Sequence, residues 1–348
     1  MTRTEMKPAP AVTSGSTDRL SVPDRLRAIR KPQFGPLSGV LIALAVLVIY
    51  LGITQVDFLT WRNVTNIVSS NSVTLLMAVG ATFVIVSGGI DLSAAGVVTT
   101  VGMVFALLLR SGMNIFLALA VMIAAALGIG AINVVLITRV KISFLVVTLG
   151  AGTVWTSAAL VLNGGNSASA YDAPGFHFID SFVNGDVAGI PYLLVFDVLV
   201  VLAASFVLRH TTYGRALFAV GSNPEAARLN GIKPARIEGI VYLIAALSSA
   251  VAAVVLVGRL TSAPASPDPN LLLNVIAAVL IGGTNVGVGG VGATVAGVAF
   301  LGVAQNGLTL TGVSPFWQGI ISGSILIVAV GLGGLRRRRR RIKVASSV

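Results

Sequence analysis

The sequence predicts an all-α integral membrane protein with about ten transmembrane helices, some of them broken or re-entrant. Of its 348 residues, 55% are hydrophobic and only 10% are charged, whereas about a quarter of the residues of a typical soluble domain are charged. The mean hydropathy is +0.93, and the apolar residues form runs near the length of about 20 residues that a helix needs to cross a bilayer. The positive charges, which give a net charge of +12, lie at the ends of these runs. That distribution is typical of a polytopic membrane protein and not of a nucleic-acid-binding face.

Hydropathy places ten spans along the chain. Glycines and polar residues interrupt two regions, 70–109 and 271–310, which is typical of broken or tightly paired helices. The predicted spans are 37–54, 70–87, 93–109, 115–137, 143–162, 191–208, 239–257, 271–284, 292–310 and 316–333.

The distribution of positive charge orients these spans. Ten crossings place both termini on one side of the membrane. With the N-terminus in the cytoplasm, only Arg62, Arg110 and Arg259 of the 24 Lys and Arg residues lie outside the cytoplasmic tails and loops, as the positive-inside rule requires. We therefore expect loop 209–238 to be cytoplasmic and loop 163–190 to be the main periplasmic loop.

The topology divides the chain into three segments. Residues 1–36 are polar, basic and rich in Pro and Ser, so we expect a disordered cytoplasmic tail and no cleaved signal peptide. Residues 37–335 form the transmembrane domain. Residues 336–348 begin with a run of arginines and form a basic cytoplasmic tail that lies against anionic lipid.

Residue types that carry bond chemistry are scarce. The chain has no cysteine and two histidines, which excludes disulfides, thiol catalysis and cysteine-ligated metals and leaves little for any metal site. No stretch matches the GxxxxGK(S/T) pattern of a nucleotide-binding P-loop. We therefore expect no cofactor bound by this chain, no metal site, no enzyme activity and no nucleic-acid partner.

A polar segment, Thr211–Ile232, separates two long apolar runs and reads TTYGRALFAVGSNPEAARLNGI. Asn223 is a suitable N-cap, Pro224 suits the first helical position and Glu225 complements the positive end of the helix dipole. A following glycine ends the helix, which predicts two turns over 224–230. Because a lone helix below about 12 residues is marginal in water, this one must pack against a surface, either a groove on a partner or its own bundle.

Four stretches, in this order along the chain, resemble a known family. They are Gly88–Ser93 (GGIDLS), Phe144–Gly150 (FLVVTLG), Thr211–Ile232, and Gly282–Gly292 (GGTNVGVGGVG). Together they make the region 40–335 similar to the permeases of ABC importers of the ribose, xylose and galactose type. Thr211–Ile232 is similar to the cytoplasmic coupling loop of those permeases.

The resemblance implies a non-catalytic transport subunit in the cell membrane of a bacterium. A separate cytoplasmic ATPase that uses ATP and Mg²⁺ would drive it, and a periplasmic or extracellular sugar-binding protein would deliver the solute. A second permease copy, as in a homodimer, would complete the pathway within the lipid bilayer. The residues assigned to ATPase coupling are Gly214, Arg215, Gly221, Asn223, Glu225, Ala226, Ala227, Arg228, Leu229 and Gly231.

Polar residues inside the apolar runs are candidates for the translocation path. A carboxylate is costly in a membrane and should face protein or water, so Asp91 either caps the helix after a break or contacts the passing solute. Asp197 lies near the end of its span, and we expect it to reach the outer interface. Neutral polar groups serve equally well as interhelical hydrogen-bonding groups. The path candidates are Asn71, Asp91, Ser93, Asn285 and Gln305.

These patterns predict the transmembrane subunit of an ABC importer that forms the path for a monosaccharide such as ribose, xylose, arabinose or galactose. Two alternatives stay open. An ion-coupled secondary transporter of a small polar solute would need embedded ionisable residues, and only Asp91 and Asp197 qualify. An ABC permease for a nucleoside, a polyol or a branched-chain amino acid is the other.

Overall fold

The computed structural model describes residues 36–314 and, beyond them, residues 317, 319–321, 323–324 and 327. The two predicted tails lie outside this part of the chain, apart from residue 36. Most of the predicted last span, 316–333, also lies outside it.

The described chain is helical, and its few β-pairs are short and lie between helices. The helices are α1 (Pro36–Thr54), α2 (Trp61–Ser87), α3 (Ala94–Arg110), α4 (Ile115–Val134, extended by a π-helical turn over Val135–Arg139), α5 (Phe144–Leu162), α6 (Phe176–Asn184), α7 (Tyr192–His210), α8 (Thr212–Ser222), α9 (Pro224–Leu229), α10 (Pro234–Leu260), α11 (Leu271–Ile281) and α12 (Val291–Leu310). The strands are β1 (Ala168–Ser169), β2 (Asp186–Val187), β3 (Ile190–Pro191) and β4 (Ser262–Ala263). β1 pairs with β4 and β2 with β3, both antiparallel. This architecture confirms the predicted all-α membrane protein.

Seven of the described helices are long and apolar enough to cross a membrane, namely α1, α2, α4, α5, α7, α10 and α12. Two shorter apolar helices, α3 and α11, coincide with the predicted spans 93–109 and 271–284. α2 begins at Trp61, nine residues before the predicted start, because Thr60 caps it by accepting a 3.3 Å hydrogen bond from the Asn63 amide. Its polar first turns are therefore helical.

The centre of the bundle is formed by α2 and α10, with α3, α4, α11 and α12 packed around them. In the most apolar 18-residue stretch of α2, 56% of the residues are buried, and the same share is buried in α10. The corresponding shares are 6% in α1 and 17% in α5. A Cβ on Gly80 of α2 would lie 2.8 Å from Cβ of Ser248 in α10, and one on Gly130 of α4 would lie 2.8 Å from Cβ of Ala246. Such close approach through small residues is typical of helix pairs in membranes.

The predicted periplasmic loop has secondary structure of its own. It contains α6, whose Phe176, Ile179 and Val183 are buried, and the β2–β3 hairpin. Trp61 Nε1, at the start of α2, donates a 2.8 Å hydrogen bond to the Gly189 carbonyl in that hairpin. The spacing of the three buried residues of α6 is helical and was the signal in the sequence. The segment is thus a folded cap attached to the ends of α2 and α10, not an open connection.

Candidate functional site

The predicted coupling loop folds into two consecutive helices, α8 and α9. Thr211 caps α8, since its Oγ1 accepts a 3.1 Å hydrogen bond from the Gly214 amide and donates a 2.6 Å bond to the Val207 carbonyl. Leu217 and Val220 of α8 are fully buried. Sequence reasoning missed α8, although a threonine followed by an amphipathic run is a helix-start signal. α8 anchors the loop to the bundle, and α9 follows it with one face packed on the bundle and the other exposed.

α9 is capped at both ends as the sequence predicts. The Asn223 Oδ1 accepts hydrogen bonds of 3.1 and 3.0 Å from the amides of Glu225 and Ala226. The Asn230 side chain donates a 2.8 Å bond to the Ala226 carbonyl, and Gly231 follows with φ of +81°, a conformation that glycine adopts readily. The helix ends one residue before the predicted end. These bonds preform a short helix whose terminal backbone groups are satisfied.

The predicted coupling residues divide into an inward and an outward set. Ala227 is 4% exposed and packs among the apolar residues beneath α9, whereas Leu229 is 82% exposed. A Cβ on Gly214 would overlap the Leu208 carbonyl oxygen. The inward set is Gly214, Gly221 and Ala227. The outward set, which we name the α9 surface, is Arg215, Asn223, Glu225, Ala226, Arg228, Leu229 and Gly231.

The α9 surface carries two positive charges, Arg215 and Arg228, and one negative charge, Glu225. Arg228 and Glu225 form an ion pair at 3.4 Å, with side chains 70% and 68% exposed, and such exposed pairs contribute little to stability. Next to this surface, burial raises the pKa of the Tyr213 phenol, and its hydroxyl donates to the Ile237 carbonyl at 3.5 Å. Beside its charged residues, the surface exposes the large apolar side chain of Leu229.

The chain breaks between α2 and α3, in the stretch that contains Asp91. Gly88, with φ of +100°, ends α2 in the left-handed conformation. Asp91 Oδ1 accepts hydrogen bonds from the Ser93 amide at 2.8 Å and the Ser93 hydroxyl at 2.5 Å. The Ser93 Oγ accepts in turn from Asn133 Nδ2 at 3.0 Å. These bonds hold the start of α3 to α4, which favours the capping role of Asp91 over contact with solute.

A cavity of about 10 Å³ adjoins the break, which is about the space that one water molecule needs. Asp91 and Ser249 of α10 are its polar walls, and apolar residues such as Met77 and Val275 form the rest. No monosaccharide fits into this space. The bundle of a single chain is thus closed at the break.

The predicted path residues do not converge on one site. Asp91 and Ser93 lie at the break, Asn285 lies in the loop between α11 and α12, and Asn71 and Gln305 lie on α2 and α12. Asn71 donates a 2.8 Å hydrogen bond to the Ile67 carbonyl of its own helix. Its amide also lies against Gly302 of α12, one turn before Gln305. Asn71 therefore belongs to the contact between α2 and α12.

Sequence reasoning missed polar pairs that link helices. Asn63 of α2 and Asn306 of α12 exchange amide hydrogen bonds of 3.0 and 2.8 Å. Ser72 of α2 donates a 2.8 Å bond to Asp197 Oδ1 of α7, and the two residues are 0% and 3% exposed. Asp197 therefore does not reach the outer interface as predicted, because it lies inside the contact between α2 and α7.

Comparison with known proteins identifies related chains. A family described as the branched-chain amino acid transport system permease component matches residues 63–330. The chain is 33% identical to the ribose import permease protein RbsC of Escherichia coli strain K12 over 292 residues, which cover 83% of this chain and 91% of the relative. It is 32% identical to the L-arabinose ABC transporter permease protein AraH of Azospirillum brasilense over 334 residues, or 95% and 97% of the two chains.

A third relative is the galactose/methyl galactoside import permease protein MglC of Salmonella typhimurium strain LT2. It is 31% identical over 320 residues, which cover 87% of this chain and 95% of the relative. No solved structure matches the chain with statistical significance.

Proposed function

This chain belongs to the family of the branched-chain amino acid transport system permease component, and on that premise we propose that it forms the translocation path of an ABC importer for a monosaccharide. It is a multi-pass protein of the bacterial cell membrane and a permease of the monosaccharide type. In the proposed importer, a separate cytoplasmic ATPase binds the α9 surface and supplies the energy from ATP and Mg²⁺. The permease itself is not catalytic.

The observation that supports ATPase coupling most directly is the α9 surface. Leu229, on a helix of six residues, is 82% exposed. Burial of such a side chain in a groove of a partner would contribute about 1.5–3 kcal/mol to the free energy of binding. The Asn223 cap preforms the helix before a partner binds, which lowers the ordering cost of association. A short, capped helix with one apolar contact residue fits a shallow groove on a soluble subunit.

A path between two copies of the chain agrees with the small size of the cavity at the break in the described part of one copy. The cavity beside Asp91 holds about one water. Another cavity, of about 560 Å³, is an apolar groove open to the outside of α3, α4 and α5, which suits a sugar poorly. We therefore place the solute between two permease copies, as in a homodimer.

A neutral solute agrees with the polar groups of the bundle. Asp91 and Asp197 both accept hydrogen bonds from serines of the bundle, and the other polar groups discussed above are amides and hydroxyls. The relatives are named for ribose, L-arabinose and galactose or methyl galactoside, so we propose a monosaccharide of this kind as the solute.

An external binding protein would deliver that solute to the folded cap formed by α6 and the β2–β3 hairpin. The cap is held in place by the Trp61–Gly189 hydrogen bond and by the buried face of α6. A preformed surface of this kind favours docking because little has to be ordered when the partner binds.

Reconstitution of the full chain tests the proposal. Proteoliposomes that contain the chain, its candidate ATPase and its candidate binding protein are supplied with radiolabelled ribose, arabinose, xylose or galactose. We expect uptake that requires ATP and the binding protein and continues after ionophores have collapsed the ion gradients. Uptake that proceeds without ATP and stops with the ionophore would instead show an ion-coupled secondary transporter. ATP-driven uptake of a nucleoside or an amino acid, with no uptake of any sugar, would refute the proposed solute.

A further inference from the structure

The end of α8 approaches two other segments of the bundle so closely that backbone atoms meet there. A Cβ added to Gly221 would overlap the carbonyl oxygen of Val86, in the last turn of α2, and would lie 2.9 Å from the Gly287 amide nitrogen. Any residue other than glycine must therefore move one of these backbones. The coupling loop thus contacts the end of α2 and the loop between α11 and α12 at one point.

The same point is connected by a hydrogen bond. The Gly287 amide donates to the Val86 carbonyl at 2.9 Å, and a Cβ on Gly287 would lie 2.6 Å from the Ser222 hydroxyl oxygen. Gly287 has φ of +68°, which residues with a side chain rarely adopt. We name the cluster of Gly221, Ser222, Gly287 and the Val86 carbonyl the glycine joint.

The α11–α12 side of the joint is stiff. Thr284 is fully buried, and its hydroxyl accepts a 3.1 Å hydrogen bond from the Gly290 amide and donates a 3.2 Å bond to the Gly290 carbonyl. Asn285 and Val288 exchange backbone bonds of 2.9 and 3.0 Å. These bonds close the loop between α11 and α12 into a compact turn, so a displacement that preserves them moves the ends of both helices.

The α2 side leads directly to the helix break. Val86 lies two residues before Gly88, where α2 ends. From there the backbone continues to Asp91, which is bonded to Ser93 at the start of α3. Movement of the Val86 carbonyl thus displaces the break on which the start of α3 depends.

We propose that the glycine joint is where movement of the coupling loop is transferred to the membrane helices, and that Gly287 is a positioning residue for this transfer. The inference rests on the proposed function, since it assumes that an ATPase moves α8 and α9. A backbone-to-backbone contact has no side chain that can rotate away. α8 therefore cannot shift toward Val86 without moving the end of α2 and the α11–α12 loop with it.

Packing alone would predict a different response to mutation. If the joint only stabilises the fold, a disturbed joint lowers the amount of folded protein, and the surviving molecules transport as before. If the joint transfers movement, folded protein binds the ATPase and supports ATP hydrolysis, but less solute crosses per ATP. The ratio of solute transported to ATP hydrolysed therefore separates the two roles.

The first test replaces Gly221 with alanine in the reconstituted importer. Gly128→Ala in α4 is the matched control, because it is also a helical glycine and an added Cβ there meets no atom within 4 Å. For Gly221→Ala we expect unchanged ATPase binding. The ratio of solute transported to ATP hydrolysed should fall by about 5- to 150-fold, which is the factor that corresponds to typical coupling free energies between two sites. A ratio equal to that of Gly128→Ala would overturn the proposal, and so would loss of ATPase binding by folded Gly221→Ala.

The second test uses Gly287→Ala and decides the question if Gly221→Ala does not fold. The control is Gly112→Ala, which has φ of +81° and open space around the added Cβ, so it carries the backbone strain without the contact. Gly287→Ala should lower the ratio while Gly112→Ala does not. Removing the opposing hydroxyl in Gly287→Ala/Ser222→Gly should restore part of the ratio. Equal ratios in Gly287→Ala and Gly112→Ala would overturn the proposal.

Failure of the proposed function gives a different result. If the wild-type chain neither binds the ATPase nor takes up solute with ATP, the importer assignment is wrong. If the wild type is ATP-driven and the joint variants keep its solute-to-ATP ratio, only the role of the joint is wrong.

Discussion

Replacing Leu229 with alanine perturbs the α9 surface at its most exposed apolar residue. Leu229 is 82% exposed, so its truncation leaves no cavity and should not change the thermal unfolding midpoint. In the proposed complex this side chain is buried in a groove of the ATPase. Burial contributes about 0.8 kcal/mol per methylene-sized group, and leucine to alanine removes three carbons. Binding should therefore weaken by about 2 kcal/mol, or about 30-fold in Kd.

The assay is the Kd of the purified ATPase for the permease held in lipid nanodiscs, measured by surface plasmon resonance. Val56→Ala is the control, because Val56 is an aliphatic residue that is even more exposed, at 96%, and lies in the connection between α1 and α2, far along the chain from α9. It should leave the Kd unchanged. An unchanged Kd for Leu229→Ala would refute the assignment of the α9 surface as the docking site, and an equal loss in Val56→Ala would show that the effect is not local.

Two further predictions concern the cap of α9 and a buried polar pair. Asn223→Ala removes the acceptor for two α9 amides, which should cost about 1 kcal/mol of helix stability and weaken ATPase binding about fivefold. Asn223→Asp keeps the cap and should bind the ATPase normally. Equal ATPase binding by the two variants would contradict the role of the cap. Ser72→Ala leaves the buried Asp197 carboxyl without its hydrogen bond, so the free energy of unfolding should fall by about 1–3 kcal/mol, seen as a lower thermal midpoint in detergent. Asp197→Asn keeps an acceptor for Ser72 and should lose less, and a wild-type midpoint for Ser72→Ala would show that the bond contributes nothing.

Much of the helix placement could be predicted because a bilayer imposes a minimum length on an apolar run. The nine predicted spans from 37–54 to 292–310 each overlap a described helix, including the short α3 and α11. The prediction of helices was less complete where a helix contains many polar residues. α2 extends back to Trp61 through residues that hydropathy assigns to a loop, and α6 lies within a predicted loop because its apolar face is only three residues long.

The features of the candidate site that depend on neighbouring residues in the chain were predictable. The cap formed by Asn223 depends on neighbouring residues in the chain, and such signals are visible in a sequence. The packing of Ser72 against Asp197 was not predictable, because the two residues are 125 positions apart. The same limit applies to the path candidates, which were chosen by polarity and which the structure distributes over separate contacts.

The sequence by itself determined the class of protein, the short capped helix after Asn223 and the resemblance that names a permease. These properties depend on composition and on residues within a few positions of one another. The tertiary structure alone decided which residues of the coupling loop face outward: Ala227 packs inward while Leu229 projects, and Gly221 meets Val86 and Gly287. The physical reason is that orientation and close approach are set by neighbours in space, and the neighbours of Gly221 come from segments more than 60 residues away in either direction.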